Sequence, residues 1–290
     1  MKFGIAFANT GPFAHPAKAI EFGQAAEAAG FESIWTVEHV VVPSNYGSTY
    51  PYSPTGKMPG PDDSIIPDPL MWLSFLAAAT STIKLATGIL ILPQRNPVVL
   101  AKELATLDHL SSGRLELGIG VGWMKEEFDA IGVPFADRGR RNDDYVAAMR
   151  ALWSEDKATY HGDYVSFDEC ILRPRPVNGT IPIHIGGHSD AAAKRAGRLG
   201  NGFWPGKGSH EELARIFKLA RQTAADNGRD PDAIEMTSGG NGIVGPKSLD
   251  EIKQLAELGV SRVIVPAFNF YRDCAATIAR YGEEVIANVS

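Results

Sequence analysis

The chain reads as an α/β protein, a (β/α)8 TIM barrel with insertion loops at the carboxyl face. Three observations lead there. Short apolar runs alternate with segments of helical period, and eight such pairs fit into 290 residues. The stretch RNPVVLAKELATLDHLSSGRLELGIGVGW, from Arg95 to Trp123, follows an apolar run at Ile83–Leu92 and completes a strand–helix–strand unit with short joints, the mark of parallel pairing. No GxGxxG opens a helix after the first strand, which weighs against a doubly wound nucleotide-binding sheet. At 44% hydrophobic the chain can fill one large core, so residues 1–290 are expected to form a single domain.

The elements follow in order. Strands are expected at Phe3–Ala8, Ser33–Val37, Lys84–Leu90, Arg114–Ile119, Ile181–Ile185, Gly202–Trp204, Ile234–Ser238 and Arg262–Val265. The first is a short apolar run followed by Asn9, too short and too weakly basic for a signal peptide. Helices are expected at 16–29, 68–80, 97–110, 138–154, 189–199, 209–227, 248–258 and 273–287. In the third, Pro97 suits the first turn, and Val98, Ala101, Leu104, Ala105 and Leu107 recur at helical spacing before Ser111-Ser112-Gly113 stops it. Gly30, Gly113, Gly200, Gly228 and Gly259 fall where left-handed caps are wanted, and Ser248 with Glu251 reads as a capping box.

Charge and cysteine use exclude several classes. The net charge of −6 is spread without a basic stripe, so nucleic acid is not an expected partner. Cys170 and Cys274 are far apart, which fits neither a disulfide scaffold nor a zinc motif; no metal is expected, and a reducing, cytoplasmic compartment is. No window reaches membrane-spanning length.

Chemistry is expected at the carboxyl ends of the strands. Glu38-His39 ends the second strand, and histidine exchanges protons near neutrality. Gly120 and Gly122 end the fourth, where the missing Cβ atoms would let something flat approach the backbone. Gly186-Gly187-His188-Ser189 joins IPIHI to a helix start, a place where free N–H groups hold anions. Arg138, Arg140 and Arg141 open a helix whose dipole they oppose, so they are expected to meet an anion, a coenzyme tail or a partner subunit. Of the other histidines, His109 is expected to be solvated, His161 to lie in a turn, His15 and His210 to flank helix starts, and His184 to be packed in the barrel. Three connections are long enough to be functional. Val40–Pro67, rich in proline, glycine and tyrosine, is a lid or substrate wall, or a loop packed on itself or on a second subunit; Tyr50 is its candidate substrate contact. Val121–Asp137 is the second, and Glu126 and Glu127 within it are expected to be solvated. The third, Lys157–Asn178, carries TYHGDYVSF, a hairpin turning near His161-Gly162.

The NP…LA…LD.LS.GR..LG.G.GW pattern of the 95–123 segment resembles the luciferase-like flavin and deazaflavin oxidoreductases. It looks nearest to the branch that uses coenzyme F420, and the resemblance spans essentially the whole chain. It implies hydride transfer between F420 and a small-molecule substrate, with FMN, and hence monooxygenase chemistry, as the alternative; a barrel that binds coenzyme without turnover is a third reading. It implies that His39 is the catalytic acid–base or charge-stabilising group, with Glu38 beside it at the coenzyme. It implies that Thr87-Gly88-Ile89 forms a bulge with a non-prolyl cis peptide behind the middle ring, and that Gly186, Gly187, His188 and Ser189 hold the phosphate. Gly120, Gly122 and Arg138 complete the coenzyme contacts. Trp123 stands where sugar-phosphate dehydrogenases of the family carry a glutamate, so a more apolar substrate face is implied. The resemblance also implies a homodimer through the helices MWLSFLAAAT and VVLAKELATL.

Overall fold

The computed structural model describes residues 1–239 and 246–289. The strands are β1 (Lys2–Ala6), β2 (Ser33–Thr36), β3 (Lys84–Thr87), β4 (Leu90–Ile91), β5 (Leu115–Gly120), β6 (Ala158–His161), β7 (Ser166–Cys170), β8 (Ile183–Gly186), β9 (Gly202–Trp204), β10 (Glu235–Gly239) and β11 (Arg262–Pro266). The helices are α1 (Pro16–Ala28), α2 (Pro69–Ala77), α3 (Pro97–Leu110), α4 (Lys125–Ala130), α5 (Arg138–Ser154), α6 (Asp190–Leu199), α7 (His210–Asp226), α8 (Pro246–Glu257) and α9 (Cys274–Glu284).

The parallel sheet runs β3-β2-β1-β11-β10-β9-β8-β5 and closes where β5 pairs with β3, Leu85 opposite Leu115 and Ala86 opposite Glu116. This is a closed barrel of eight parallel strands wrapped by helices, a (β/α)8 TIM barrel. The third strand, expected to be continuous from 84 to 90, breaks at a cis peptide between Gly88 and Ile89, and β4 resumes beside β5 with Leu90 opposite Ile119. The long connection before β8 holds the expected hairpin, β6 with β7, antiparallel.

Strand alternation divides the core. Leu115, Leu117 and Ile119 pack with helix residues such as Leu104 and Leu152, while Ala6, Trp35, Ala86 and Ile264 form a separate interior cluster. Trp35 is fully buried, its indole N–H donating to Ser33 Oγ at 2.8 Å.

Helix starts carry their own chemistry. Asp68 accepts from the N–H groups of Leu70 and Met71, Asn96 from Val98 and Val99, and Ser189 from Ala192. The complete capping box is Ser209 with Glu212. The one expected at Ser248 is not an N-cap, because α8 begins two residues earlier and leaves Ser248 inside its first turn. Gly30, Gly113, Gly228 and Gly259 have positive φ as expected, but Gly200 is extended at φ −79°. Among the described residues no helix is long and apolar enough to cross a membrane.

At the amino end of the barrel, Arg262 is fully buried and ion-paired with three carboxylates, Glu32 (2.9 Å), Glu116 (3.0 Å) and Glu235 (2.9 Å). His184 Nε2 lies 3.1 Å from Glu116, as expected of a packed histidine. The ligand atoms of Glu116, His184 and Glu235 lie within 4.8 Å of one another, close enough for a metal ion. Arg262 already supplies the countercharge there, and its guanidinium lies over Trp35, 5.1 Å from the ring.

Candidate active site

The opposite end is built differently. His39 leaves β2 with its Nδ1 3.2 Å from Glu127 Oε2, and the Val40 N–H donates to Glu127 Oε1 at 2.6 Å. The Glu127 side chain is 1% exposed. It was expected to be solvated; instead α4 folds the 121–137 loop back against β2 and carries Glu127 inward. Its neighbour Glu126 faces the long loop and accepts from the N–H groups of Gly47 (2.7 Å) and Ser48 (3.2 Å). The Lys125 N–H bonds Ser48 Oγ, so α4 grips the loop at two points.

Adjacent strand residues point to opposite sides, and Glu38 goes into the barrel wall. It accepts from the Ile91 N–H at 2.5 Å and from Arg95 Nε at 2.9 Å, and a second Arg95 nitrogen contacts it; Arg95 also bonds Asp68, the cap of α2. Burial pushes the Glu38 carboxyl above its ordinary range against the pull of Arg95 and the Ile91 N–H. The expected coenzyme contact is thus corrected for its side chain, which is consumed in fixing the chain beyond the bulge.

Thr87 is corrected in the same way. It is fully buried, and its hydroxyl donates to the Gly118 carbonyl at 2.7 Å, tying β3 to β5. Gly88 N–H donates to the Thr36 carbonyl at 2.6 Å. Gly88 and Ile89 are the partly exposed residues between buried Thr87 and Leu90. The Ile89 side chain fills the space over two strand-end glycines: a Cβ on Gly120 would lie 2.5 Å from Ile89 Cδ1, and one on Gly186 would lie 2.6 Å from Ile89 Cγ2. A Cβ on Gly122 would lie 2.7 Å from Phe128. At Gly120, Gly122 and Gly186 the missing Cβ atoms thus leave room for the Ile89 and Phe128 side chains.

Gly187, with φ of 121°, donates its N–H to the Trp204 carbonyl at 3.1 Å, and Ser189 caps α6. His188 Nδ1 is buried without a partner among the described residues. Burial lowers the His188 pKa, with the charge of Lys207 acting in the same direction. His188 lines a cavity of about 420 Å³ with Lys207, Gly208, Ser209, Glu212 and Arg215, between the starts of α6 and α7. Lys207, the imidazole and two helix N-termini there favour an anion, while Glu212 lines the same cavity and Asp190 pairs with Arg215 at 2.8 Å.

Arg138 pairs with no carboxylate among the described residues. It donates to the carbonyls of Gly122 (3.1 Å) and Phe135 (3.3 Å) and lies 3.8 Å over the Phe135 ring. Arg141 donates to the Pro134 carbonyl, and Arg140 faces the Tyr164 ring. These contacts with loop carbonyls and aromatic rings hold the turn after β5 in place.

The 40–67 loop lies across the barrel mouth. Rings touch edge to face from one side to the other: His39 with Trp123 (5.9 Å), Trp123 with Tyr46 (5.5 Å) and Tyr50 (5.1 Å), Tyr50 with Tyr52 (5.5 Å), and Tyr52 with His188 (5.2 Å). Lys207 Nζ donates to the Pro51 carbonyl, fastening the far side. Burial raises the Tyr50 phenol pKa and pushes that of Tyr52 up to about 12. Trp123, Tyr50 and His39 are thus brought together; Tyr46, Tyr52, Lys207 and above all Glu127 are the site residues the sequence reading did not find.

Comparison with known proteins agrees with this architecture. Residues 1–283 match the model of the luciferase-like monooxygenase family. An uncharacterized protein of Mycobacterium tuberculosis is 33% identical over 270 residues, 91% of each chain. An FMNH2-dependent dimethylsulfone monooxygenase of Pseudomonas fluorescens is 32% identical over 210 residues, 71% of this chain and 52% of that protein. Among solved structures, an F420-dependent secondary alcohol dehydrogenase superposes with a TM-score of 0.78 at 20% identity, covering 99% of this chain and 98% of the other. The coenzyme F420-dependent tetrahydromethanopterin reductase of Methanopyrus kandleri gives 0.77 at 21% identity, covering 100% and 99%. A luciferase-like barrel with a histidine, a buried carboxylate and an aromatic wall at its mouth is what these residues build, and the chain belongs to the luciferase-like monooxygenase family.

Proposed function

We propose that this protein is an oxidoreductase that moves a hydride between coenzyme F420 and a small, largely apolar organic substrate. The observation that carries the reading is His39: one ring nitrogen is held by a buried carboxylate, while Nε2 has no partner among the described residues and lies beside an aromatic wall. Such a group exchanges a proton with whatever is bound there. The remaining residues fit the coenzyme. Gly88 and Ile89 offer a backing at the break in the third strand, and His188 and Ser189, with Lys207 close by, offer donors and charge to a phosphate, Gly187 shaping the turn between them. When bound, F420 supplies or accepts the hydride; His39 offsets the charge that hydride movement leaves on the substrate. Trp123, Tyr46 and Tyr50 exclude water and favour apolar substrate surface.

FMN is the second reading, favoured by the dimethylsulfone monooxygenase relative, which is nearer in sequence than the F420-dependent structures. Fluorescence titration of the purified protein with F420 and with FMN separates the two. The F420 reading expects the tighter affinity for F420; tight FMN binding without F420 binding overturns it. A barrel without turnover has no use for a free imidazole nitrogen, and turnover with F420 excludes it.

We also propose a homodimer. Met71 and Phe75 on α2 and Val99 on α3 are exposed, on helices that pack side by side. Light scattering at micromolar concentration should give twice the chain mass, and a monomer would remove the proposal.

A further inference from the structure

We propose that Glu127 is the positioning residue that selects the tautomer of His39, keeping the proton on Nδ1 and leaving Nε2 as the bare nitrogen at the barrel mouth. This deepens the reading that His39 acts on the substrate and rests on it. The Glu127 carboxyl has two oxygens with two different partners. Oε1 accepts the Val40 N–H at 2.6 Å and Oε2 meets His39 Nδ1 at 3.2 Å. A carboxylate only accepts, so the proton between Oε2 and the ring belongs to Nδ1. A neutral imidazole then has its lone pair on Nε2, for which no described residue supplies a donor.

The ring is held in this orientation from several directions. Trp123 meets it edge to face at 5.9 Å, Glu38 beside it in sequence is pinned in the barrel wall by Arg95, and Val40 after it is bonded to the same carboxyl that holds the ring. Glu127 therefore fixes the ring, its tautomer and the start of the 40–67 loop together. With a bound coenzyme as hydride carrier, Nε2 would take the acidic proton of a substrate being oxidised and return it in the reverse direction. Either direction needs Nε2 to exchange the proton.

Glu127→Gln is the discriminating variant. The Val40 N–H still needs an acceptor, so the amide oxygen turns towards it and the amide nitrogen faces Nδ1. A donor there makes Nδ1 the acceptor and moves the ring proton to Nε2. Ring-nitrogen NMR of His39, at about pH 9 where an ordinary imidazole is neutral, should show a protonated Nδ1 in the wild-type protein and a protonated Nε2 in the Gln variant. Turnover in the variant should fall on the order of 10²-fold while F420 affinity stays within about threefold. Glu127→Asp keeps an acceptor and should keep the wild-type tautomer, which serves if the Gln variant does not fold. A wild-type ring protonated on Nε2, the same tautomer in both proteins, or wild-type turnover in the Gln variant overturns the proposal. Failure of the catalytic reading looks different: His39→Ala would keep its turnover while the Gln variant still inverted the tautomer.

Discussion

Two histidine–glutamate pairs stand at opposite ends of one barrel, His184 with Glu116 at 3.1 Å and His39 with Glu127 at 3.2 Å. Their separations are nearly equal, yet their surroundings differ. At the amino end Glu116 also meets Arg262, and the second nitrogen of His184 faces Gly202 so closely that a Cβ there would lie 2.0 Å from it. At the carboxyl end, among the described residues, Glu127 is bonded to the Val40 N–H and to the ring, and the second nitrogen of His39 has no partner. Burial alone would raise the Glu116 carboxyl, but the bond and charge of His184, with the charges of Arg262 and Lys2, hold it at about 2. A histidine–carboxylate pair is therefore no signature of catalysis by itself; access to the remaining nitrogen decides.

The largest effect expected from this contrast is on rate. His39→Ala should lower turnover about 10²–10⁴-fold and change F420 affinity much less. Equal loss of both, measured by steady-state kinetics and titration, would make His39 a binding or structural residue. The amino-end pair should answer in stability instead. Arg262→Ala removes the buried cation that Glu116 and half-buried Glu235 share, leaving Glu116 with His184 and Glu235 with Lys2, and should cost about 3 kcal/mol in urea unfolding. The same end should weaken in acid. The folded-state pKa of Glu116 lies below the ordinary 4.5, so its contribution is present above that pH and lost as pH falls from 4.5 towards 2. Stability curves across that window should fall in the wild-type protein and fall less steeply in Arg262→Ala, where His184 alone still bonds Glu116.

A smaller effect is expected from filling the room that Ile89 occupies. Gly186→Ala places its Cβ against Ile89 and should cost about 1–3 kcal/mol by overpacking, with weaker coenzyme binding. An unchanged affinity would detach Ile89 from the coenzyme face. The smallest concerns the loop. Bonds from the Ser48 hydroxyl and from the N–H groups of Glu126 itself, Gly47 and Ser48 lower the Glu126 carboxyl to about 2. Its grip is present above the ordinary 4.5 and is lost as pH falls through the window down to 2. Trp123 emission should change there, and Glu126→Gln should show the loosened signal at neutral pH.

Much of the fold was legible because local chemistry repeats. The bounds of α3 and α5 coincide with the expected 97–110 and 138–154, since Pro97, Asn96 and the apolar spacing act within one turn of each other. The hairpin was legible for the same reason. The bulge at Gly88-Ile89 was legible only through family resemblance, because glycine in an apolar strand has a plain packing explanation. What stayed hidden is long-range. Glu127 and His39 are 88 residues apart, and two glutamates at a helix start look like ordinary partners of the helix dipole. The partners of Arg138 and Arg141 at the start of α5 are backbone carbonyls, which leave no mark in the sequence. The packing of Ile89 and Phe128 against Gly120 and Gly122 is long-range too and leaves no mark in the sequence.

The ring-to-ring wall also gives the molecule an optical property. Of the five tryptophans, Trp72 and Trp153 are buried with their indole N–H groups bonded to the carbonyls of Phe13 and Ala101, outside the mouth. Trp123 lies in the wall, and Trp35 and Trp204 touch at 5.7 Å beside the Gly88 bulge. A conjugated ring arriving at that bulge would draw excitation from the indoles by resonance transfer, first from Trp35 and Trp204 that touch it, so the native chain is its own reporter of occupancy, without a dye.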